Sequence, residues 1–114
     1  KKYYGDFLSE TVENKHLFEI IKAIRNEYYI VLVTTASRKN SEDILKYHNR
    51  LDEFDLIISQ EDVKKKKPDP EGFCKAMDYY KISKDNTIIF EDSDVGIEAA
   101  EKSGASVFVV RGFA

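Results

Sequence analysis

Amphipathic helix patterns alternate with short apolar strand patterns along the whole of this 114-residue chain. Strands are predicted at residues 29–34, 56–59, 87–90 and 106–110, and each consists mainly of apolar residues. Such continuous apolar runs are typical of strands that are buried on both faces of a parallel sheet. Because a helix pattern precedes each strand, the order αβαβαβαβ predicts an α/β fold. We expect a Rossmann-like, mostly parallel sheet with helices on both faces.

The helices carry their own start and stop signals. The first is predicted over residues 11–27, and Ser41 is the expected N-cap of the second. Asp69, which is followed by a proline, is the expected N-cap of the third helix. A fourth helix is predicted over residues 94–103, with Gly104 ending it in the left-handed conformation.

The composition excludes several classes of protein. The chain is 42% hydrophobic, and its 18 basic and 21 acidic residues give a formal net charge of −3, which argues against a dedicated nucleic-acid binder. The longest apolar run, residues 28–33, is far shorter than the ~18 residues of a membrane span. The single cysteine, Cys74, cannot form an internal disulfide. We therefore expect a cytoplasmic protein that binds neither nucleic acid nor membrane.

Polar residues follow or lie between the predicted strands. Thr34 and Thr35 end the first strand, Glu91 and Asp92 follow the third, and Lys67 lies between them in the chain. Parallel sheets bind ligands at the carboxyl ends of their strands. Phosphate oxygens favour hydroxyl and ammonium donors, and Mg²⁺ favours carboxylate oxygens. These residues predict a site for phosphate and magnesium.

Two sequence strings make a family resemblance specific. Residues 67–73 read K-P-D-P-E-G-F, and residues 91–100 read E-D-S-D-V-G-I-E-A-A. A K-P-x-P string alone is weak evidence, but the second string at this distance makes it strong. The chain resembles the haloacid dehalogenase superfamily, and within it the phosphatase and β-phosphoglucomutase-like branch, over essentially its whole length.

The resemblance implies roles for the phosphate-binding residues. Thr35 would hold the transferring phosphoryl group through its hydroxyl, with help from the backbone N–H of Ala36. Thr34 takes this role if the alignment is shifted by one residue. Lys67 would neutralise charge on the phosphate and on the nucleophile. The alternative is that the two threonines simply end a β-branched strand.

The resemblance also implies a metal site. Glu91 and Asp92 would hold Mg²⁺, with Asp92 as the direct ligand, and Ser93 would support their loop. Considered without the surrounding string, the two acids are as compatible with a charge pair that stabilises the start of a helix as with a metal site.

One motif of the family is absent from these 114 residues. Family members carry D-x-D-G-T/V after a central strand, and its first aspartate is the nucleophile. No such string occurs here, so the nucleophile is expected upstream of this chain. Residues 1–114 would be the C-terminal portion of the core domain, with residues 1–10 as the exit from a missing cap domain. Without the central strand two buried strand edges would be unpaired. We therefore expect that an upstream segment or a partner strand completes the sheet, or that the sheet is rearranged.

The implied function is a Mg²⁺-dependent phosphatase that acts on a small phosphorylated metabolite through an aspartyl-phosphate. A phosphomutase of the same family is the close alternative, and a non-catalytic binding or interaction module is another. A receiver-like phospho-acceptor domain shares the residue types but fits the two strings poorly. The 114 residues alone are expected to be inactive, because they lack the nucleophile.

Overall fold

The computed structural model describes residues 2–5 and 15–109, with side chains from residue 19 onward. Five strands form one parallel sheet in the order β3–β2–β1–β4–β5, which confirms the α/β class. The elements are β1 (Lys2–Gly5), α1 (Lys15–Ile24), β2 (Tyr28–Val33), α2 (Arg38–Tyr47), β3 (Leu56–Ile58), α3 (Glu71–Tyr80), β4 (Thr87–Glu91), α4 (Asp94–Ser103) and β5 (Ser106–Val109).

The centre of the sheet corrects one prediction. Strand β1 lies between β2 and β4, with Tyr4 in register with Ile30 on one side and Ile88 on the other. The expectation that this chain leaves the central position empty is therefore wrong. Buried strand edges need hydrogen-bond partners, and Lys2–Gly5 supplies them from within the chain. That residues 1–10 are the exit from a cap domain stays a prediction, and residues 1 and 6–10 lie outside the described residues.

The strands divide the core into two layers because successive side chains of a strand point to opposite faces. On one face, Val31 and Val33 of β2 pack with Phe73 and Ala76 of α3 and Ala100 of α4, all of which are buried. Ile30 and Leu32 belong to the opposite layer, which also contains Ile21, Leu45, Ile57 and Phe90. Both faces of the central strands are therefore covered, as their apolar pattern predicts.

Two helix starts differ from the prediction. Ser37, not Ser41, is the N-cap of α2, and its hydroxyl accepts the N–H of Asn40 at 3.1 Å. Ser41 lies buried inside the helix, because the chain enters α2 directly from the loop that follows β2. Helix α3 begins after Pro70, while the Asp69 carboxylate accepts the N–H of Glu71 at 3.0 Å.

Other helix ends agree with the prediction or lie close to it. Helix α1 ends at Ile24, three residues earlier than predicted, and residues 11–14 lie outside the described residues. Gly104 ends α4 with φ 84°, in the left-handed region, as predicted. None of the helices in the described part of the chain combines the length and the apolar character that a membrane crossing requires.

Candidate functional site

The fold brings the predicted site residues to the carboxyl edge of the sheet. Thr34 follows β2 directly, and Asp92 follows β4 directly. Lys67 comes from the loop that precedes α3, and its side chain reaches the ends of both strands. Thr34, Thr35 and Lys67 line one cavity. Residues that are up to 58 positions apart in the sequence therefore meet at one end of the molecule.

The Lys67 ammonium is held inside the site. It donates to the carbonyl of Val33 at 2.9 Å and to Oε2 of Glu91 at 3.1 Å. It also lies 5.1 Å from the centre of the Phe73 ring, and its side chain is only 5% exposed. Burial lowers the pKa of Lys67 below its ordinary value of 10.5, although the Glu91 and Asp92 carboxylates act in the opposite direction. The lysine therefore bridges β2 and β4 at a fixed point.

The Glu91 carboxylate is completely buried, and both of its oxygens accept hydrogen bonds. Oε2 accepts from Lys67, while Oε1 accepts the N–H groups of Asp92 at 3.1 Å and Ser93 at 3.3 Å. The Ser93 hydroxyl donates to the same Oε1 at 3.2 Å. Glu91 thus orients Lys67 and the loop that carries Asp92. Its predicted role as a metal ligand stays a prediction.

The start of α4 is built around Glu91. The Ser93 hydroxyl accepts the N–H of Gly96 at 3.1 Å and thereby caps the helix. A Cβ at position 96 would overlap the Glu91 carboxyl group, so only glycine leaves room for this arrangement. The sequence strings contain Gly96, but nothing in their pattern shows that it packs against a buried carboxylate.

The two threonines have different surroundings. Thr34 is buried, and its hydroxyl oxygen accepts the N–H of Ala36 at 3.1 Å. Thr35 is exposed, so its hydroxyl is accessible to a ligand. The Ala36 N–H, predicted to help bind phosphate, is directed to Thr34 in this structure. The accessible hydroxyl supports Thr35 rather than Thr34 as the phosphate ligand.

Arg38 fixes the loop that carries these threonines, and sequence reasoning missed it. Its Nη2 donates to the Asp62 carboxylate at 2.7 Å and to the carbonyl of Ile57 at 2.8 Å. Nearby, the Gln60 N–H donates to the carbonyl of Ala36 at 3.0 Å. The loops after β2 and β3 are therefore tied together. Arg38 also satisfies an edge-strand carbonyl that could otherwise pair with another chain.

The carboxylate oxygens at this site are of the type that hard cations such as Mg²⁺ prefer. The Asp92 carboxylate is half-buried beside the Lys67–Glu91 pair, and its charge partly opposes the lowering of the Lys67 pKa by burial. Mg²⁺ is commonly held by one or two carboxylates together with waters and phosphate oxygens. Across the described residues, no three His, Cys, Asp or Glu side chains form a complete metal cluster. Asp92 is therefore the residue best placed to contribute one ligand to a magnesium ion.

Comparison with known proteins settles the family. The sequence model of the haloacid dehalogenase-like hydrolases matches residues 1–110. The chain belongs to this family. Solved structures agree on the fold: the CbbY protein of Rhodobacter sphaeroides, determined in complex with phosphate, superimposes with a TM-score of 0.79 at 23% identity. That match covers 92% of this chain and 51% of CbbY.

The proteins similar in sequence include named phosphatases. A phosphorylated carbohydrates phosphatase of Thermotoga maritima is 26% identical over 104 residues, which are 91% of this chain and 47% of that protein. The validoxylamine A 7'-phosphate phosphatase of Streptomyces hygroscopicus subsp. limoneus is 36% identical over 73 residues, which are 64% of this chain and 34% of that protein. The chain thus spans about half the length, or less, of these relatives.

Proposed function

We propose that this chain forms part of a Mg²⁺-dependent phosphohydrolase that acts on a small phosphorylated metabolite in the cytoplasm. The observation that carries the proposal is the buried Lys67 ammonium, fixed 2.9 Å from the Val33 carbonyl and 3.1 Å from Glu91, in the cavity that Thr35 also lines. Burial of a lysine ammonium is unfavourable because the charge loses its hydration, and a buried charge in a cavity therefore indicates a functional role.

Each residue has a role in phosphoryl transfer. The Thr35 hydroxyl and the Lys67 ammonium bind phosphoryl oxygens, and Lys67 offsets the negative charge that approaches them. Glu91 keeps Lys67 in place. The first aspartate of the family's D-x-D motif, which these 114 residues lack, would attack phosphorus and form a carboxylate O–P bond. The P–O bond to the metabolite would break, and the second aspartate of that motif, as general acid, would protonate the leaving oxygen. Water would then hydrolyse the aspartyl-phosphate, restoring the carboxylate and releasing inorganic phosphate.

Asp92 would hold the magnesium ion at the end of β4. When bound, Mg²⁺ supplies positive charge to the phosphoryl oxygens. The named relatives act on phosphorylated carbohydrates and on validoxylamine A 7'-phosphate, which supports a phosphorylated metabolite as the substrate class.

Binding of inorganic phosphate tests this proposal on the chain as it stands. We expect NMR titration in the presence of Mg²⁺ to shift the amide signals of Thr35, Ala36 and Lys67. Thr35→Val should weaken phosphate binding about tenfold, since it removes a hydrogen bond to a charged group. Ser106→Ala removes an exposed hydroxyl at the far sheet edge and should change nothing.

Asp92→Asn should abolish the effect of Mg²⁺ on phosphate affinity while leaving binding without Mg²⁺ within about twofold. If phosphate perturbs none of these amides, the chain is better described as a non-catalytic module. An equal loss of affinity in Thr35→Val and Ser106→Ala would show that the hydroxyl of Thr35 is not a ligand.

The chain alone should not turn over substrate. No D-x-D-G-T/V string occurs in its 114 residues, so a bound phosphate ester would lack the nucleophile of the family motif. We expect no Mg²⁺-dependent hydrolysis of p-nitrophenyl phosphate above a blank without protein. Hydrolysis by the purified chain that disappears in Asp92→Asn would contradict this expectation.

A further inference from the structure

The charge of Lys67 is directed inward, but three other lysines remain at the surface beside it. Lys64, Lys65 and Lys66 precede Lys67 directly, and their side chains are exposed. None of these three forms an ion pair with another residue in the part of the chain that the structure describes. The lysine run, defined here as residues 64–66, therefore presents unneutralised positive charge next to the candidate site.

The backbone of the lysine run is held in place by the first residue of α3. The two carboxylate oxygens of Glu71 accept the N–H groups of Lys64 and Lys65, each at 3.0 Å. The carbonyl of Lys66 accepts the N–H of Asp69 at 2.9 Å. These N–H bonds also lower the pKa of Glu71 below its ordinary value. The lysine side chains thus project from an anchored loop.

Two of the three lysines border the candidate site. Lys65 and Lys66 line the same cavity as Thr35 and Lys67. The neighbouring acids are oriented toward other donors: Glu61 accepts the N–H of Arg38 at 3.0 Å, and Asp69 accepts the N–H of Glu71 at 3.0 Å. Asp62 likewise accepts from Ser59 and Arg38. Because these acids are engaged elsewhere, the two exposed lysines are available to an anion bound at the surface beside the cavity.

We propose that Lys65 and Lys66 form a second anion subsite beside the phosphoryl site. The inference rests on the proposed function, in which Thr35 and Lys67 bind the transferring phosphoryl group. A substrate that uses both subsites carries a second phosphoryl group close to the reacting one. The substrate class would then be a bisphosphorylated metabolite or a diphosphate, rather than a monophosphate with a neutral remainder.

The test compares the affinities of inorganic phosphate and pyrophosphate for the full 114-residue chain, measured by calorimetry without Mg²⁺ at fixed ionic strength. We expect pyrophosphate to bind about tenfold more tightly than phosphate. The double variant Lys65→Gln/Lys66→Gln should lose this tenfold preference, with phosphate affinity changed by less than about twofold. The control Lys22→Gln/Lys46→Gln removes two exposed lysines of α1 and α2 and should keep the preference.

The outcomes separate this inference from the proposed function. If phosphate binds but pyrophosphate binds no more tightly, the second subsite is excluded while the phosphoryl site stands. If both double variants lose the preference equally, net charge explains it and the subsite is again excluded. If neither anion binds, with or without Mg²⁺, the proposed function fails, and the inference fails with it.

Discussion

Lys67→Met should destabilise the fold by about 3–5 kcal/mol, because it removes one partner of a buried ion pair. The Glu91 carboxylate, whose side chain is 0% exposed, would lose its only ammonium donor in the described structure. The N–H groups of Asp92 and Ser93 would still contact Oε1, but Oε2 would face a methionine. The free energy of unfolding, measured by urea denaturation at pH 7, gives the loss directly.

A double-variant cycle separates the ion pair from the packing of the lysine stem. Lys67→Met/Glu91→Gln removes both charges, so it should be more stable than Lys67→Met alone by roughly 2 kcal/mol. Lys64→Met changes an exposed lysine in the same loop and should alter stability by less than about 0.5 kcal/mol. If the double variant loses the sum of the two single losses, the residues do not interact as an ion pair.

The pH dependence of stability provides a second readout of the same pair. The fold lowers the pKa of Lys67 below 10.5, mainly by burial. Between the lowered pKa and 10.5 the unfolded chain binds more protons at this position than the folded chain. The contribution of Lys67 to the free energy of unfolding therefore rises with pH across that window, and it is least favourable below it. Lys67→Met should lack this rise.

The sequence predicted the fold class well because it is encoded locally. Strand β2 is a continuous apolar run, and a strand buried on both faces of a parallel sheet requires such a run. The position of β1 could not be predicted in this way. Lys2–Gly5 contains only four residues, with no apolar pattern to mark it. Its place depends on pairing with β2 and β4, whose partner residues lie 26 and 84 positions further along the chain.

The candidate site, like the fold, was predicted only in part from the sequence. Lys67 and Asp92 were identified because they occur in recognisable strings, and Thr35 because it ends an apolar strand; the fold brings their loops together. The burial of Glu91 was not predicted, since it depends on how closely α4 approaches the end of β4. The role of Arg38 was missed because its partners, Ile57 and Asp62, lie about 20 residues further along the chain. Spacing identifies residue types, whereas only packing shows which oxygens are already in use.

Gly96→Ala tests that packing most directly. Alanine is favoured over glycine inside a helix by about 1 kcal/mol, so local propensity alone predicts that the variant is more stable. We expect the opposite, a loss of roughly 2–4 kcal/mol, because the new methyl group would overlap the Glu91 carboxyl group. The carboxylate would have to move away from Lys67 and from the Ser93 hydroxyl, which both bond to it.

A gain in the free energy of unfolding would indicate that helix propensity dominates, and a loss would indicate that packing against Glu91 dominates. Phosphate affinity adds a second measurement. Because displacement of Glu91 releases the Lys67 ammonium, we expect Gly96→Ala to weaken phosphate binding about tenfold even under conditions where the variant is folded. Val95→Ala alters the adjacent, 50% exposed side chain and should leave both quantities nearly unchanged. An unfolding free energy for Gly96→Ala equal to or above that of the unmodified chain would mean that α4 can shift away from β4. In that case the Glu91 carboxylate would not be the fixed point that holds Lys67.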